Sequence, residues 1–127
     1  MEFVLGSFLG DAGNLIKNRC QWVVEGANLA STPEAVSLFQ ESRIGFGPGK
    51  AAGAGGAVVS GFEMSQTSQR LQWREEEIAM QLQKAMKKIH SLCQEHGQNQ
   101  HGIDYKQGAD RAGFLRVANA MLDRGLE

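Results

Sequence analysis

The sequence has few of the residues that mark special chemistry. Only two of its 127 residues are cysteine, Cys20 and Cys93, and they lack CxxC spacing, so neither a disulfide framework nor a zinc site is indicated. No apolar run approaches the roughly 20 residues that span a bilayer. The net charge of −1 provides no basic surface for nucleic acid. We therefore expect neither a membrane nor a nucleic acid as partner.

The amino-terminal residues do not indicate secretion. Glu2 stands where a signal peptide carries a base, and glycines interrupt the apolar stretch. Two reduced thiols are typical of an intracellular protein. We expect a cytoplasmic location, with a mitochondrial one left open. A chain of 127 residues that is 42% hydrophobic and 21% charged is typical of a single globular domain.

The first half of the chain alternates between strand and helix patterns. The β-branched and aromatic run 21–24 predicts a buried parallel strand, and 43–46 predicts a second one. Between them, Thr32 and Pro33 begin a helix that should end near Glu41. We expect this helix to bury Ala35, Val36, Leu38 and Phe39. Strand–helix–strand is half of a doubly wound unit.

The second half is predicted to be helical. The pattern predicts one helix from near Lys50 or Ala54 to Leu71, a second over 75–95 and a third over 109–124, with a polar loop at 96–107. The fold class is therefore α/β and helix-rich, a partial doubly wound (Rossmann-like) unit with two short parallel strands followed by long helices. A short helix is also predicted over 11–17. The inward residues expected in the second helix are Ile78, Leu82, Ala85, Ile89 and Leu92, and in the third Phe114, Leu115, Val117, Ala118, Met121 and Leu122.

The chain is expected to be a single domain with three parts: a variable amino-terminal segment (1–21), a partial nucleotide-binding-domain-like segment (22–71) and carboxy-terminal helices (75–127). Two strands make a marginal sheet with open edges. No other strand is predicted in the chain. We therefore expect the strands to pair across chains in a homo-oligomer, or other elements to cover them; the alternative is that the region refolds as helix or loop.

Several motifs have ordinary structural interpretations. Gly45-Phe-Gly-Pro-Gly-Lys50 lacks the Walker spacing and the GxGxxG spacing, so a tight turn between a strand and a helix is the favoured interpretation. The glycines at 53, 55 and 56 indicate close backbone approach, either to a ligand or to another segment. The three histidines lack the spacing of a metal pair and are expected at the surface or at helix ends. Ser60 belongs to no Ser/His/Asp arrangement.

Five segments nevertheless carry a specific resemblance. They are Glu25-Gly-Ala-Asn28, Gly47-Pro-Gly-Lys-Ala-Ala52, Ser60-Gly-Phe-Glu-Met-Ser-Gln66, Arg70-Leu-Gln-Trp73 and Gly113-Phe-Leu-Arg-Val-Ala-Asn-Ala-Met121. From about Val23 onward the chain resembles the carboxy-terminal part of glutamate dehydrogenase, a member of the Glu/Leu/Phe/Val dehydrogenase family. The family reaction is the oxidative deamination of glutamate with NAD or NADP.

The resemblance implies roles for four residues. Asn28 matches an asparagine beside the nicotinamide and its ribose, and Gly53 matches a second cofactor position. Ser60 matches a helix serine that contacts the side-chain carboxylate of glutamate, and Ala57 lines the same pocket. The implied cofactor is therefore NAD or NADP, no residue of this chain is assigned a catalytic role, and no metal is implied.

The chain departs from the family at several of these places. Gly53 replaces an asparagine, and Ala57 replaces the usual valine. Asp110 and Arg111 stand where the family has asparagine and an apolar residue, so the face carrying Arg111 is expected to meet water or a different partner.

The resemblance also implies that essential groups come from elsewhere. Family members take the catalytic lysine and aspartate, and the glycine-rich pyrophosphate turn, from earlier parts of the polypeptide. Hydride transfer requires both substrates to be held near contact distance. We expect a dehydrogenase fragment that is inactive in isolation, with the missing amino-terminal part as a possible partner. The alternative is a stand-alone interaction or oligomerisation protein remodelled from this segment.

Overall fold

A computed structural model describes residues 2–4 and 9–125. Residues 1 and 5–8 lie outside this range. They belong to the segment 1–19, in which the sequence predicted only a short helix. Six helices are described: α1 Leu9–Lys17, α2 Pro33–Glu41, α3 Gly49–Ala52, α4 Ala54–Gln69, α5 Glu75–Gly97 and α6 Tyr105–Arg124. The described strands are β1 Glu2–Val4, β2 Trp22–Glu25, β3 Gly45–Gly47, β4 Gln98–Asn99 and β5 Gly102–Ile103.

The main sheet is parallel and has the order β1-β2-β3. Val23 lies opposite Phe46 in the register between β2 and β3, which confirms the two predicted strands. The third strand, β1, pairs in parallel with β2, with Phe3 opposite Val24. The prediction that no other strand of this chain covers an edge of the pair was therefore wrong. The three residues of β1 are too few to show a period-2 pattern, so this strand could not be predicted from its residues.

Helices α1 and α2 connect successive strands and cover one face of the sheet. The buried core on that face consists of Ala12, Val23, Ala35, Val36, Phe39 and Phe46, with Leu15, Cys20, Leu38 and Ile44 packed against it. The rings of Phe39 and Phe46 stack with their centroids 6.0 Å apart. The predicted inward face of α2 is therefore confirmed.

Helix α2 begins as its sequence indicates. The Thr32 side-chain oxygen accepts a hydrogen bond from the backbone N–H of Ala35 at 3.3 Å, and Pro33 occupies the first helical position. These features fix the end of the loop that follows β2.

The three long helices pack in sequence, α4 against α5 and α5 against α6. The predicted inward side of α5 is confirmed, because Ile78, Leu82, Ala85, Ile89 and Leu92 are all half-buried. Helices α5 and α6 approach most closely at two glycines: a Cβ on Gly108 would lie 2.0 Å from the carbonyl oxygen of Cys93, and one on Gly97 2.3 Å from that of Asp104.

The region between α5 and α6 differs from prediction in two ways. The segment expected to be a loop contains the antiparallel pair β4–β5, and α6 begins at Tyr105 rather than Ala109. The earlier start follows from Asp104, whose carboxylate accepts a hydrogen bond from the Gln107 N–H at 2.9 Å and caps the helix.

The predicted inward face of α6 was wrong for most of its residues. Phe114 and Leu122 are each 71% exposed and Val117 is 61% exposed, while Leu115 and Met121 are also exposed and Ala118 is half-buried. The close backbone approach of α6 to α5 is at Gly108, in the first part of the helix. The apolar residues beyond it form a surface that other parts of the described chain leave open.

Among the described residues, no helix is both long enough and apolar enough to cross a membrane.

Candidate functional site

The four predicted site residues follow the carboxyl ends of two adjacent parallel strands. Asn28 lies in the loop after β2, and Gly53 lies between α3 and α4, the helices that follow β3. Ala57 and Ser60 lie in the first turns of α4. The carboxyl edge of a parallel sheet is where open α/β proteins bind ligands.

All four residues are exposed. Ala57 and Ser60 are three positions apart and therefore share one side of α4. The opposite side faces α5: a Cβ on Gly55 would lie 3.6 Å from Leu82 Cδ1 and 3.7 Å from Met86 Sδ. Ala57 and Ser60 thus lie on the open side of this helix, where a ligand or another part of a larger protein has access.

The Glu25 carboxylate connects the two loops that carry these residues. Glu25 is only 6% exposed. Its Oε1 accepts a hydrogen bond from the Ser31 N–H and its Oε2 accepts one from the Gly49 N–H, each at 2.8 Å. The loop after β2 and the start of α3 are therefore held by a single side chain.

The Gly-Pro-Gly-Lys segment forms a short junction between strand and helix. β3 ends at Gly47, and α3 begins at Gly49 with Pro48 as its N-cap residue. The Lys50 ammonium forms an ion pair with the Asp110 carboxylate of α6. The segment thus forms the tight turn between a strand and a helix that the sequence favoured.

Asp110 and Arg111, at which the resemblance predicts a departure from the family pattern, both link α6 to other elements. Asp110 pairs with Lys50 of α3. Arg111 is exposed, as its charge predicts, and its guanidinium donates a hydrogen bond to the carbonyl oxygen of His96 at 3.2 Å. That carbonyl belongs to the last turn of α5, where a cation is favourable.

The Cys93 thiol is buried, with 3% exposure, and lies near the ammonium of Lys50. Burial raises the pKa of Cys93 above its ordinary value, and the Lys50 charge opposes this increase only in part. The thiol is thus neutral at physiological pH and is not an activated nucleophile.

The histidines take the structural roles expected of them. His90 Nε2 lies 3.2 Å from the Tyr105 hydroxyl, and His96 lies at the end of α5. In the part of the chain that the structure describes, no three His, Cys, Asp or Glu side chains are grouped as metal ligands.

Two clefts flank Trp22 and Tyr105, whose rings meet edge to face at 5.8 Å. One, of about 460 Å³, lies between the start of β3 and the β4–β5 hairpin and includes Arg43 and His101. The other, of about 430 Å³, is apolar and lies against α3 and α5. Neither cleft is lined by any of the four predicted site residues.

Sequence reasoning missed the role of Glu25, which it treated as the end of a strand. Glu25 is two residues after the buried Val23 and so points to the same face of the sheet. The sequence did show an acidic residue on the side of the strand that is buried. A buried carboxylate needs hydrogen-bond donors, so this position could have indicated the role of Glu25.

A parallel sheet with connecting helices, and loops joined at its carboxyl edge, defines a Rossmann-like α/β protein. The family model for Glutamate/Leucine/Phenylalanine/Valine dehydrogenase matches residues 9–125. The chain belongs to this family.

Curated relatives agree with this assignment. The chain is 48% identical over 116 residues to a glutamate dehydrogenase of Bacteroides thetaiotaomicron, covering 91% of this chain and 26% of the relative. It is also 48% identical over 120 residues to the NADP-specific glutamate dehydrogenase of Haemophilus influenzae, covering 93% and 27%. The chain thus spans about a quarter of the length of these relatives.

Solved structures of glutamate dehydrogenases also resemble this chain. A glutamate dehydrogenase of Plasmodium falciparum matches with a TM-score of 0.92 and 37% identity, covering 98% of this chain and 28% of that one. Glutamate dehydrogenase 2 of the same organism matches with a TM-score of 0.88 and 40% identity, covering 97% and 28%. The structural likeness therefore extends over nearly the whole of this chain.

Proposed function

We propose that this chain supplies one side of the NAD(P) site and part of the glutamate pocket of a glutamate dehydrogenase, and that it does not catalyse hydride transfer on its own. In this proposal Asn28 and Gly53 lie beside the cofactor, and Ala57 and Ser60 line the pocket for the glutamate side chain. The observation that carries the proposal is the Glu25 link, which joins the Asn28 loop to the helices bearing the other three residues at the carboxyl edge of the sheet.

The chemistry of these side chains supports a role in binding rather than in catalysis. The Asn28 amide can both donate and accept hydrogen bonds, as recognition of a ribose or carboxamide requires. The Ser60 hydroxyl can donate to a carboxylate. Neither group transfers a hydride or activates the amine, so the reaction depends on groups from the rest of the enzyme.

Titration of the chain with NAD⁺ or NADP⁺ tests the cofactor assignment. One side of a site gives weak binding, so we expect no measurable heat by calorimetry at micromolar protein, but selective amide shifts near Asn28 and Gly53 by NMR at millimolar nucleotide. Asn28→Ala should abolish these shifts. The matched control is Asn119→Ala, on the exposed surface of α6, which should preserve them. Shifts that are absent in the wild-type chain, or unaffected by Asn28→Ala, would overturn the assignment.

The second candidate function is self-association through α6. Its supporting observation is the open apolar surface formed by Phe114, Leu115, Val117, Met121 and Leu122. Contiguous apolar surfaces of this kind mark interaction sites. In this alternative the chain is an oligomerisation protein, or it binds an amino-terminal part of the enzyme through the same surface.

A further inference from the structure

The buried Glu25 carboxylate carries an inference that rests on the proposed function and extends it. A carboxylate is costly to remove from water unless hydrogen bonds satisfy it. Glu25 meets this requirement with two backbone donors from different loops, Ser31 and Gly49. The donors are 18 residues apart in sequence, so the carboxylate is a cross-link between loops rather than a local cap.

The same two loops also touch directly. A Cβ on Gly49 would lie 2.1 Å from the carbonyl oxygen of Ala27 and 3.3 Å from Glu25 Cβ. Only glycine fits between these groups without movement of the backbone. Ala27 is the neighbour of Asn28, and Gly49 donates the cross-linking hydrogen bond and begins the helix that leads to Gly53.

Buried side chains contribute little to holding the loop after β2 in place. Residues 26–29 are exposed, and Leu29 is 94% exposed with a φ of 52°. A loop without buried side chains is held by its end points. Those end points are the strand residue Glu25 and the Ser31 amide that its carboxylate binds.

We propose that Glu25 is a positioning residue: its carboxylate fixes the orientation of Asn28 relative to Gly53, and so sets the geometry of the cofactor side of the site. An uncharged isostere cannot replace it, because a glutamine amide presents one acceptor oxygen and one NH₂ group. One of the two backbone N–H groups would then face another donor.

The test compares Glu25→Gln with a control that weakens the same sheet face without touching either loop. Val36→Ala is suitable, because Val36 is buried in the core and lies on α2. Amide exchange at Ser31 and Gly49 should accelerate about 10-fold to 100-fold in Glu25→Gln, as expected when hydrogen bonds to a charged acceptor are lost. Residual dipolar couplings of Asn28 and Gly53 should change in Glu25→Gln and remain as in wild type in Val36→Ala.

The result that would overturn the proposal is unchanged couplings of Asn28 and Gly53 in Glu25→Gln, or equal changes in the control. If Glu25→Gln does not fold, the wild-type chain still provides a test. Trans-hydrogen-bond scalar couplings from Glu25 Cδ to the amide nitrogens of Ser31 and Gly49 should both be detectable, and the absence of either one contradicts the cross-link.

Nucleotide titration separates this proposal from the proposed function. Where the wild-type chain responds to NAD⁺ or NADP⁺, Glu25→Gln should raise the dissociation constant at least about tenfold, and Val36→Ala should leave it unchanged. A wild-type chain that shows no response contradicts the cofactor assignment, whereas the exchange and coupling measurements still decide whether Glu25 positions the loops.

Discussion

At the scale of single residues, the two cysteines occupy different surroundings. Cys93 is a buried residue of α5, and its carbonyl oxygen lies against Gly108 of α6. Cys20 is half-buried after α1, and its thiol donates a hydrogen bond to the Trp22 carbonyl at 3.2 Å. Reaction of a thiol requires both access and the thiolate form, and Cys93 is deficient in both.

We predict that a thiol reagent at neutral pH modifies Cys20 faster than Cys93, by on the order of tenfold or more, because Cys93 must first be exposed by local opening. The rates are measured separately in Cys93→Ser and Cys20→Ser. A faster reaction at Cys93 than at Cys20 in the folded protein would contradict the burial described here.

The raised pKa of Cys93 also gives a pH dependence with a definite sign. The neutral thiol is favoured in the folded state, so its stabilising contribution is complete below the ordinary pKa of 9.0 and decreases as pH rises above that value. Unfolding free energies measured by urea titration between pH 8 and 10.5 should therefore fall more steeply for wild type than for Cys93→Ala. Equal slopes would be evidence against the shift.

Local sequence was informative where a side chain acts within its own segment. Thr32 and Pro33 predicted the start of α2, the β-branched and aromatic run predicted β2, and apolar residues at helical spacing predicted the inward side of α5. Glu25 was missed because its partners, Ser31 and Gly49, are brought to it only by the fold. The roles of Asn28, Gly53, Ala57 and Ser60 came from resemblance alone and stay predictions.

At the scale of the elements, the pairing of α5 with α6 depends on glycine. The carbonyl oxygen of Cys93 occupies the space that a side chain at position 108 would need. Gly113 lies on the same helix, and a Cβ there would meet nothing within 4 Å. The two glycines therefore provide a matched pair for mutation.

Gly108→Ala is expected to destabilise the protein by about 2 kcal/mol or more, since overpacking forces the helices apart. Gly113→Ala is expected to stabilise it by up to about 1 kcal/mol, since alanine is the better helix former. Urea unfolding of both variants measures the difference. Similar effects of the two substitutions would show that α5 and α6 do not approach as closely as described.

The start and the inward face of α6 were both predicted incorrectly from the sequence. The start of α6 was placed late because the capping role of Asp104 lay inside a polar segment with glycines, which resembled a loop. Its apolar pattern predicted an inward face, but a periodic pattern does not specify whether the same chain or another provides the covering surface. In the described chain, that surface is open.

At the scale of the whole molecule, the open surface of α6 predicts self-association. Phe114, Val117 and Met121 share one side of the helix at i, i+3 and i+7 spacing. Val117→Glu should weaken association more than tenfold, because it removes apolar burial and introduces a charge into the interface. Light scattering over a concentration series measures this effect.

Gln83→Glu is the matched control, since it adds the same charge at an exposed position of α5, outside the apolar surface of α6. It should associate as the wild type does. A wild-type chain that stays monomeric at all concentrations would contradict association through α6, and would also count against pairing of the strand edges across chains.

Under the proposed function, the chain holds part of a glutamate dehydrogenase site and lacks the groups that complete the reaction. The most direct measurement is the reduction of NAD⁺ and of NADP⁺, followed by absorbance, with the purified chain and glutamate. We predict no reduction above that of the buffer. Reduction proportional to the protein concentration, lost in Ser60→Ala and retained in Ser68→Ala, would show that these 127 residues contain a complete site and would contradict the claim.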